Sequence, residues 1–282
     1  MKDFKQYIYK QLAGIYPEGE IRQLFFILME KVTGLSQAKI LAESDVVLNE
    51  KQNENLREIV ARLKNSEPIQ HIVGETQFCG LPFSVSGDVL IPRPETEELV
   101  AWILNETPAD APVSILDIGT GSGCIAVSLA KRLSNAAITA LDVSPEALNI
   151  AQQNAERNNV QLNLIEHDIL HSSSLVPHTS FDVIVSNPPY ICECEKAGME
   201  RNVLNYEPSL ALFVPDNDPL VFYRAIVRFA KKKLHAGGKL FFEINRAYGT
   251  EAINLLQSFG FADIELRRDF FGNDRMLRAV KR

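Results

Sequence analysis

The sequence predicts a doubly wound α/β protein. A mostly parallel seven-stranded sheet carries helices on both faces, behind a small N-terminal helical domain and a linking β-hairpin. Three observations carry this. From Pro112 onward short apolar runs alternate with amphipathic stretches, the pattern of strands joined by crossover helices. The first 65 residues instead repeat apolar side chains at three- and four-residue spacing. Between these regions, residues 68–89 break into short pieces punctuated by Gly74, Gly80 and Gly87. The boundaries fall at 1–66 for the helical bundle, 67–90 for the hairpin and 91–282 for the α/β domain.

In the first region Ile8, Leu12 and Ile15, then Ile21, Leu24, Phe25 and Leu28, each mark one apolar helix face. Ser36 is a candidate N-cap for a short helix through Ala42. A fourth helix spans 51–64, with Leu56, Ile59, Val60 and Leu63 on one side. Gly14, Gly34 and Ser44-Asp45 supply the breaks. In the linking region Gln70-His71-Ile72-Val73, Thr76-Gln77-Phe78 and Phe83-Ser84-Val85 read as strand pieces. His71 stands alone and reads as structural. Prolines and acids in Leu90-Ile91-Pro92-Arg93-Pro94-Glu95-Thr96-Glu97 lead into Leu99, Val100, Trp102, Ile103 and Leu104, the entry to a helix.

In the α/β region strands are expected at 113–118, 137–141, 161–166, 181–186, 239–244, 263–267 and 276–281. Helices are expected at 123–133, 145–158, 219–234 and 247–259. Only residues 269–275 separate the last two strands. That is too short for a crossover helix, so the two should pair antiparallel.

Composition excludes several function classes. No run approaches the roughly 20 apolar residues of a membrane span, and Met1-Lys-Asp-Phe-Lys lacks the apolar core of a signal peptide. A cytoplasmic protein is the expectation. The net charge of −7 argues against a broad nucleic-acid footprint, so Lys231-Lys232-Lys233 and Arg267-Arg268 read as solvated faces. Of the four cysteines only Cys192 and Cys194 are close in sequence. They lack partners at zinc-ligand spacing, so reduced thiols and no metal are expected.

The chemistry sits at strand tips. Val183-Ile184-Val185 is a buried strand that stops at Asn187-Pro188-Pro189-Tyr190, because two successive prolines cannot donate to a ladder. The residue before a proline is held extended, which fixes Asn187 at the tip. The corner offers the Asn187 amide oxygen, the Pro188 carbonyl and the Tyr190 ring, a set suited to a planar group bearing an NH2. Upstream, the strand at 113–118 runs into Gly119-Thr120-Gly121-Ser122-Gly123 and a helix. Its G-x-G-x-G spacing differs from that of dinucleotide folds, and Asp117 just before it would repel phosphate but could hold an ammonium group directly or through water. Asp142 ends the next strand, where a carboxylate can accept from both hydroxyls of a ribose. Asp168 ends the third and could accept from an adenine amino group, with Ile169 against the ring. Ser144-Pro145 reads as a helix N-cap.

Together these residues resemble the class I S-adenosylmethionine-dependent methyltransferases, and the corner resembles that of enzymes methylating planar amide or exocyclic amino nitrogens. Residues 90–97, Glu207-Pro208-Ser209-Leu210-Ala211-Leu212 and Asp269-Phe270-Phe271-Gly272-Asn273-Asp274-Arg275 are similar to the family that methylates the glutamine of peptide-chain release factors. That resemblance implies S-adenosyl-L-methionine as cofactor, held by Gly119 to Gly123, Asp142, Asp168, Ile169 and Asn187. It implies class-one release factors as protein substrates, with the Gly-Gly-Gln glutamine held by Asn187, Pro188, Pro189 and Tyr190. It also implies docking help from the N-terminal helices, with no direct nucleic-acid or membrane partner. His71 stands where that family has tyrosine, and Asn245 where a glycine is usual. Glu207 and Glu243 read as structural. An adenine-amino DNA or RNA methyltransferase is the alternative, disfavoured by the acidic charge.

Overall fold

A computed structural model describes residues 2–42, 47–110, 112–171 and 180–282, so the break expected at Ser44-Asp45 lies outside the described residues. The chain forms two compact units, Met1–Gly74 with Glu200–Tyr206, and Glu75–Met199 with Glu207–Arg282.

The first unit contains α1 (Lys2–Leu12), α2 (Glu18–Thr33), α3 (Gln37–Ala42), α4 (Glu50–Lys64) and α5 (Ile69–Val73). Its core holds Ile8, Leu12, Ile21, Leu24, Phe25, Leu28, Leu56, Ile59, Val60 and Leu63, the faces read from spacing. Ile15 departs from this. It lies beyond the end of α1 and is 44% exposed. A capping box starts α4: Asn49 accepts from the Gln52 amide and Gln52 accepts from the Asn49 amide. Residues 70–73 correct the strand expected there, for they lie in α5. Pro68 sets a helical φ of −58° at the N-cap, and Gly74 takes φ 78° to close the single turn, its N–H on the Gln70 carbonyl at 2.8 Å. Those two brackets override the β preference of Ile and Val.

The second unit opens with a hairpin, β1 (Glu75–Phe78) and β2 (Leu81–Ser84). Its two-residue loop, Cys79-Gly80, has both φ angles positive, at 50° and 73°, which matches the natural twist of a tight hairpin. There follow α6 (Pro94–Asn105), β3 (Val113–Ile118), α7 (Cys124–Arg132), β4 (Ala136–Asp142), α8 (Pro145–Arg157), β5 (Asn163–Glu166) and β6 (Phe181–Ser186). Then come β7 (Ile191–Cys192), α9 (Arg201–Tyr206, part of the first unit), α10 (Ser209–Leu212), β8 (Phe213–Val214), α11 (Val221–Lys233), β9 (Leu234–Glu243), α12 (Gly249–Ser258), β10 (Phe261–Arg268) and β11 (Asp274–Lys281).

The seven-stranded sheet has the order β10-β11-β9-β6-β3-β4-β5. Pairing is parallel from β9 to β5, and β11 runs antiparallel to both β9 and β10, as the short connection required. Side chains alternate across β3: Leu116 and Ile118 join the core under α11 and α12, while Ile115 joins the core under α6 and α7. Among the described residues no helix is long and apolar enough to cross a membrane.

A buried amide fixes α8 to the hairpin. Asn154 is fully buried. Its Oδ1 accepts from the Ser84 amide at 2.6 Å, and its Nδ2 donates to the carbonyls of Ser84 and Ser122 at 3.0 and 2.8 Å. Asn154→Leu strands those three backbone groups. It should lower the stability of this unit by about 2–4 kcal/mol, read as a fall in the urea midpoint.

Candidate active site

Four neighbouring parallel strands end side by side, and their tips build one site. Strand order reverses between β3 and β6, with β4 and β5 to one side and β6 and β9 to the other. A crevice at the carboxyl ends opens at such a reversal.

After β3 the chain turns sharply through Gly119, Gly121 and Gly123, with φ of 72°, 53° and 78°. The amides of Gly119 and Thr120 both donate to the Leu141 carbonyl, at 2.8 and 3.0 Å, pinning the turn to the end of β4. A Cβ added at Gly119 or Gly121 would meet no atom within 4 Å, so both face open space. Gly123 is glycine for another reason: its Cβ would stand 3.0 Å from that of Ala151 on α8. Asp117 is fully buried beneath the turn and accepts from the Thr120 hydroxyl at 2.7 Å. Its Oδ1 has no hydrogen-bond partner.

At the tip of β4, Asp142 accepts from the Gly121 amide on one oxygen, at 2.8 Å, and from the Ser144 amide on the other, at 3.0 Å. Burial raises its pKa, and these amides work against the rise. Ser144 also caps α8 through the Ala147 amide, as its sequence suggested. At the tip of β5 both Asp168 oxygens are engaged, one by the Leu170 amide at 2.8 Å and one by His171 Nδ1 at 2.7 Å. Burial opposes ionisation there, but the His171 and Leu170 hydrogen bonds prevail and hold the carboxyl below its ordinary range.

At the tip of β6 the Ser186 hydroxyl donates to the Ile118 carbonyl at 2.7 Å and locks this strand end to β3. Asn187 Nδ2 donates to Thr96 Oγ1 at 3.3 Å, and Thr96 donates to Glu243 at 2.6 Å. Tyr190 points inward: its hydroxyl donates to the other Glu243 oxygen at 3.0 Å, and its ring packs against the core. Asn245 Nδ2 donates to the Tyr190 carbonyl and to Glu195, both at 3.0 Å. The Asn245 side chain thus braces the corner.

The segments at 90–97 and 207–212 meet through a buried carboxylate. Glu207 accepts from Arg93 at 2.5 Å and from the Ile91 amide at 3.2 Å. Together with the four tips they enclose a cavity of about 230 Å3. Gly119, Thr120, Gly121, Ser122, Asp142, Asp168, Ile169, Asn187, Pro188 and Pro189 line it. Gly123 and Tyr190 do not. Asp117 is also absent from the lining and reaches it only through Thr120. Sequence reasoning missed Thr96 and Arg93 as site residues, although the proline-rich segment that signalled them was in view.

A model described as "Methyltransferase small domain" matches residues 98–203, and one described as "PrmC N-terminal domain" matches residues 6–74. The chain is 46% identical to "Release factor glutamine methyltransferase" of Flavobacterium psychrophilum, over 99% of this chain and 98% of that one. It is also 46% identical to the protein of the same name from Bacteroides thetaiotaomicron, over 99% of each. Two solved structures share the fold. One is a methyltransferase from Pyrococcus furiosus, with TM-score 0.52, 20% identity and coverage of 83% of this chain and 99% of that one. The other is the Thermus thermophilus 16S rRNA N2 G1207 methyltransferase in complex with AdoMet and guanosine, with TM-score 0.53, 18% identity and coverage of 74% and 50%.

Burial pushes the Asp117 carboxyl up to about 7 from its ordinary 3.8, against the pull of the Thr120 hydroxyl and with help from the Asp142 charge. Between those two values the folded chain holds a proton that the unfolded chain has released. Stability contributed here therefore falls as pH rises from 3.8 to about 7. Asp117→Asn should flatten that slope in urea midpoints measured across the range.

Proposed function

The chain belongs to the release factor glutamine methyltransferases, and on that premise we propose how its residues do the work. The enzyme transfers a methyl group from S-adenosyl-L-methionine to the side-chain amide nitrogen of the glutamine in the Gly-Gly-Gln motif of class-one peptide chain release factors. The observation that carries this reading is a single cavity whose walls include both Asn187-Pro188-Pro189 and the turn Gly119 to Ser122 with Asp142.

The residues present fit the cofactor. Gly119 and Gly121 leave open space for close approach to backbone, and Asp142 is a carboxylate held in the wall for the ribose hydroxyls. Ile169, Leu141 and Phe222 give an apolar surface for a flat base. Asp168 lines the same cavity, set by the Leu170 amide on one oxygen and His171 on the other, and remains the acceptor for an adenine amino group. When bound, the cofactor supplies a methyl group on a positively charged sulfur. Gly123 serves by letting α7 start close against α8.

An amide nitrogen is a poor nucleophile because resonance withdraws its lone pair. Asn187 Oδ1 and the Pro188 carbonyl accept the two N–H bonds of the substrate carboxamide and turn that nitrogen toward the glycine turn. Such positioning supplies several kcal/mol of the barrier, and acceptors aimed where positive charge develops add to it. Pro189 stiffens the corner, and Tyr190 anchors it from behind through Glu243. The N-terminal helical domain, about residues 1–66, helps dock the release factor, and the reaction takes place in the cytoplasm without direct nucleic-acid binding.

Asn187→Ala should cut turnover by about 100-fold or more while leaving the cofactor Kd within a few-fold, read by transfer of labelled methyl to purified release factor. Near-wild-type turnover with cofactor still bound would sink the role given to Asn187. Label entering nucleic acid instead would favour the adenine-amino alternative.

A further inference from the structure

A carboxamide has two ends of nearly the same shape and opposite hydrogen-bonding sense. If Asn187 turned its NH2 into the cavity, donors would face the donors of a substrate amide. Something must decide which end looks inward.

We infer that Thr96 and Glu243 are positioning residues that fix the Asn187 carboxamide with its oxygen toward the cavity. This deepens the proposed function, since it rests on Asn187 Oδ1 being the acceptor for the substrate amide. Thr96 and Glu243 are each 2% exposed, so water does not compete for their polar atoms. Glu243 receives two hydroxyls, Thr96 on one oxygen at 2.6 Å and Tyr190 on the other at 3.0 Å. Burial raises its pKa, and these two hydroxyls and the Arg275 charge pull against that rise and favour the carboxylate. A hydroxyl has a single proton. That of Thr96 is committed to Glu243, and toward Asn187 its oxygen can only accept. The partner at 3.3 Å must then be the Asn187 NH2, which leaves Oδ1 at the opposite end. Polarity passes from Glu243 through one hydroxyl to the reacting corner, and the same carboxylate holds Tyr190 behind it. In such a chain each bond orients and polarises the next. Neither Thr96 nor Glu243 needs to touch substrate.

The test uses the full-length enzyme with S-adenosyl-L-methionine and purified release factor, in three variants. Thr96→Val keeps the shape and removes the hydroxyl. Thr96→Ser keeps the hydroxyl. Glu243→Gln keeps the shape but places an NH2 among the acceptors; with Tyr190 still on its oxygen, that NH2 faces Thr96 and frees the Thr96 proton to turn to Asn187. Thr96→Val and Glu243→Gln should lower kcat by about tenfold, the worth of one hydrogen bond, with KM for the cofactor changed less than twofold. Thr96→Ser should recover most of the loss.

A second readout needs no turnover. In 15N spectra of the enzyme alone, the Asn187 side-chain NH2, assigned by its loss in Asn187→Asp, should show one proton slowed in exchange. That protection should vanish in Thr96→Val and return in Thr96→Ser. If Thr96→Val keeps kcat within twofold of wild type, or if the protection is missing in wild type or survives in Thr96→Val, the inference is overturned. If Asn187→Ala turns over normally, the functional reading falls instead, and the spectra still decide which way the amide points.

Discussion

Register among four parallel strands is the constraint on which the rest depends. Ile118 pairs with Leu141 on one side and with Ser186 on the other, and Asp142 pairs with Glu166. β3 and β6 therefore end level with one another and β4 and β5 end together one residue further on, so Gly119 and Asn187 start from one line and Val143 and His167 from the next. A slip of one residue would turn every core side chain of a strand to the opposite face. The apolar alternation of Ile115, Leu116 and Ile118 thus guards the site as well as the core. Two side-chain ties at the tips reinforce it: Ser186 holds the Ile118 carbonyl and Asp142 holds the Gly121 amide.

Much of this was legible because strand tips carry local signals. Glycines mark a turn with positive φ, prolines end a ladder, and an acid or amide at the next position stands out against an apolar run. The seven strands, their largely parallel order and the antiparallel final pair followed from spacing alone. What stayed hidden was long-range pairing. Thr96 and Glu243 are 147 positions apart, and Arg93 and Glu207 are 114 apart. Nothing in either local sequence announces its partner. Glu243 read as structural, and its two oxygens face Thr96 and Tyr190. The helix at Ile69–Val73 was hidden differently: its interior favours a strand, and only its flanking Pro68 and Gly74 decide otherwise.

The acids around the site divide into two uses. Asp142 and Asp168 accept from backbone amides at strand tips and so shape the loops there, both from within the cavity wall. Glu207 and Glu243 sit deeper and join segments far apart in the chain, one by an ion pair and one through hydroxyls. Asp117 belongs to neither group. It is sealed under the turn with one oxygen unmatched, and burial drives it toward its neutral form.

β11 has a consequence for how the molecule is made. It comes last of the strands in the chain, yet it lies inside the sheet, hydrogen-bonded to β9 and β10 on its two sides. While a ribosome is still working on residues 274–281, β9 and β10 have a gap between them, and the backbone groups on the two edges that face it lack partners. A nascent chain that has already made the glycine turn and the proline corner still carries an open seam. Truncation that removes those eight residues should therefore leave a sticky, protease-sensitive intermediate rather than a slightly shortened enzyme.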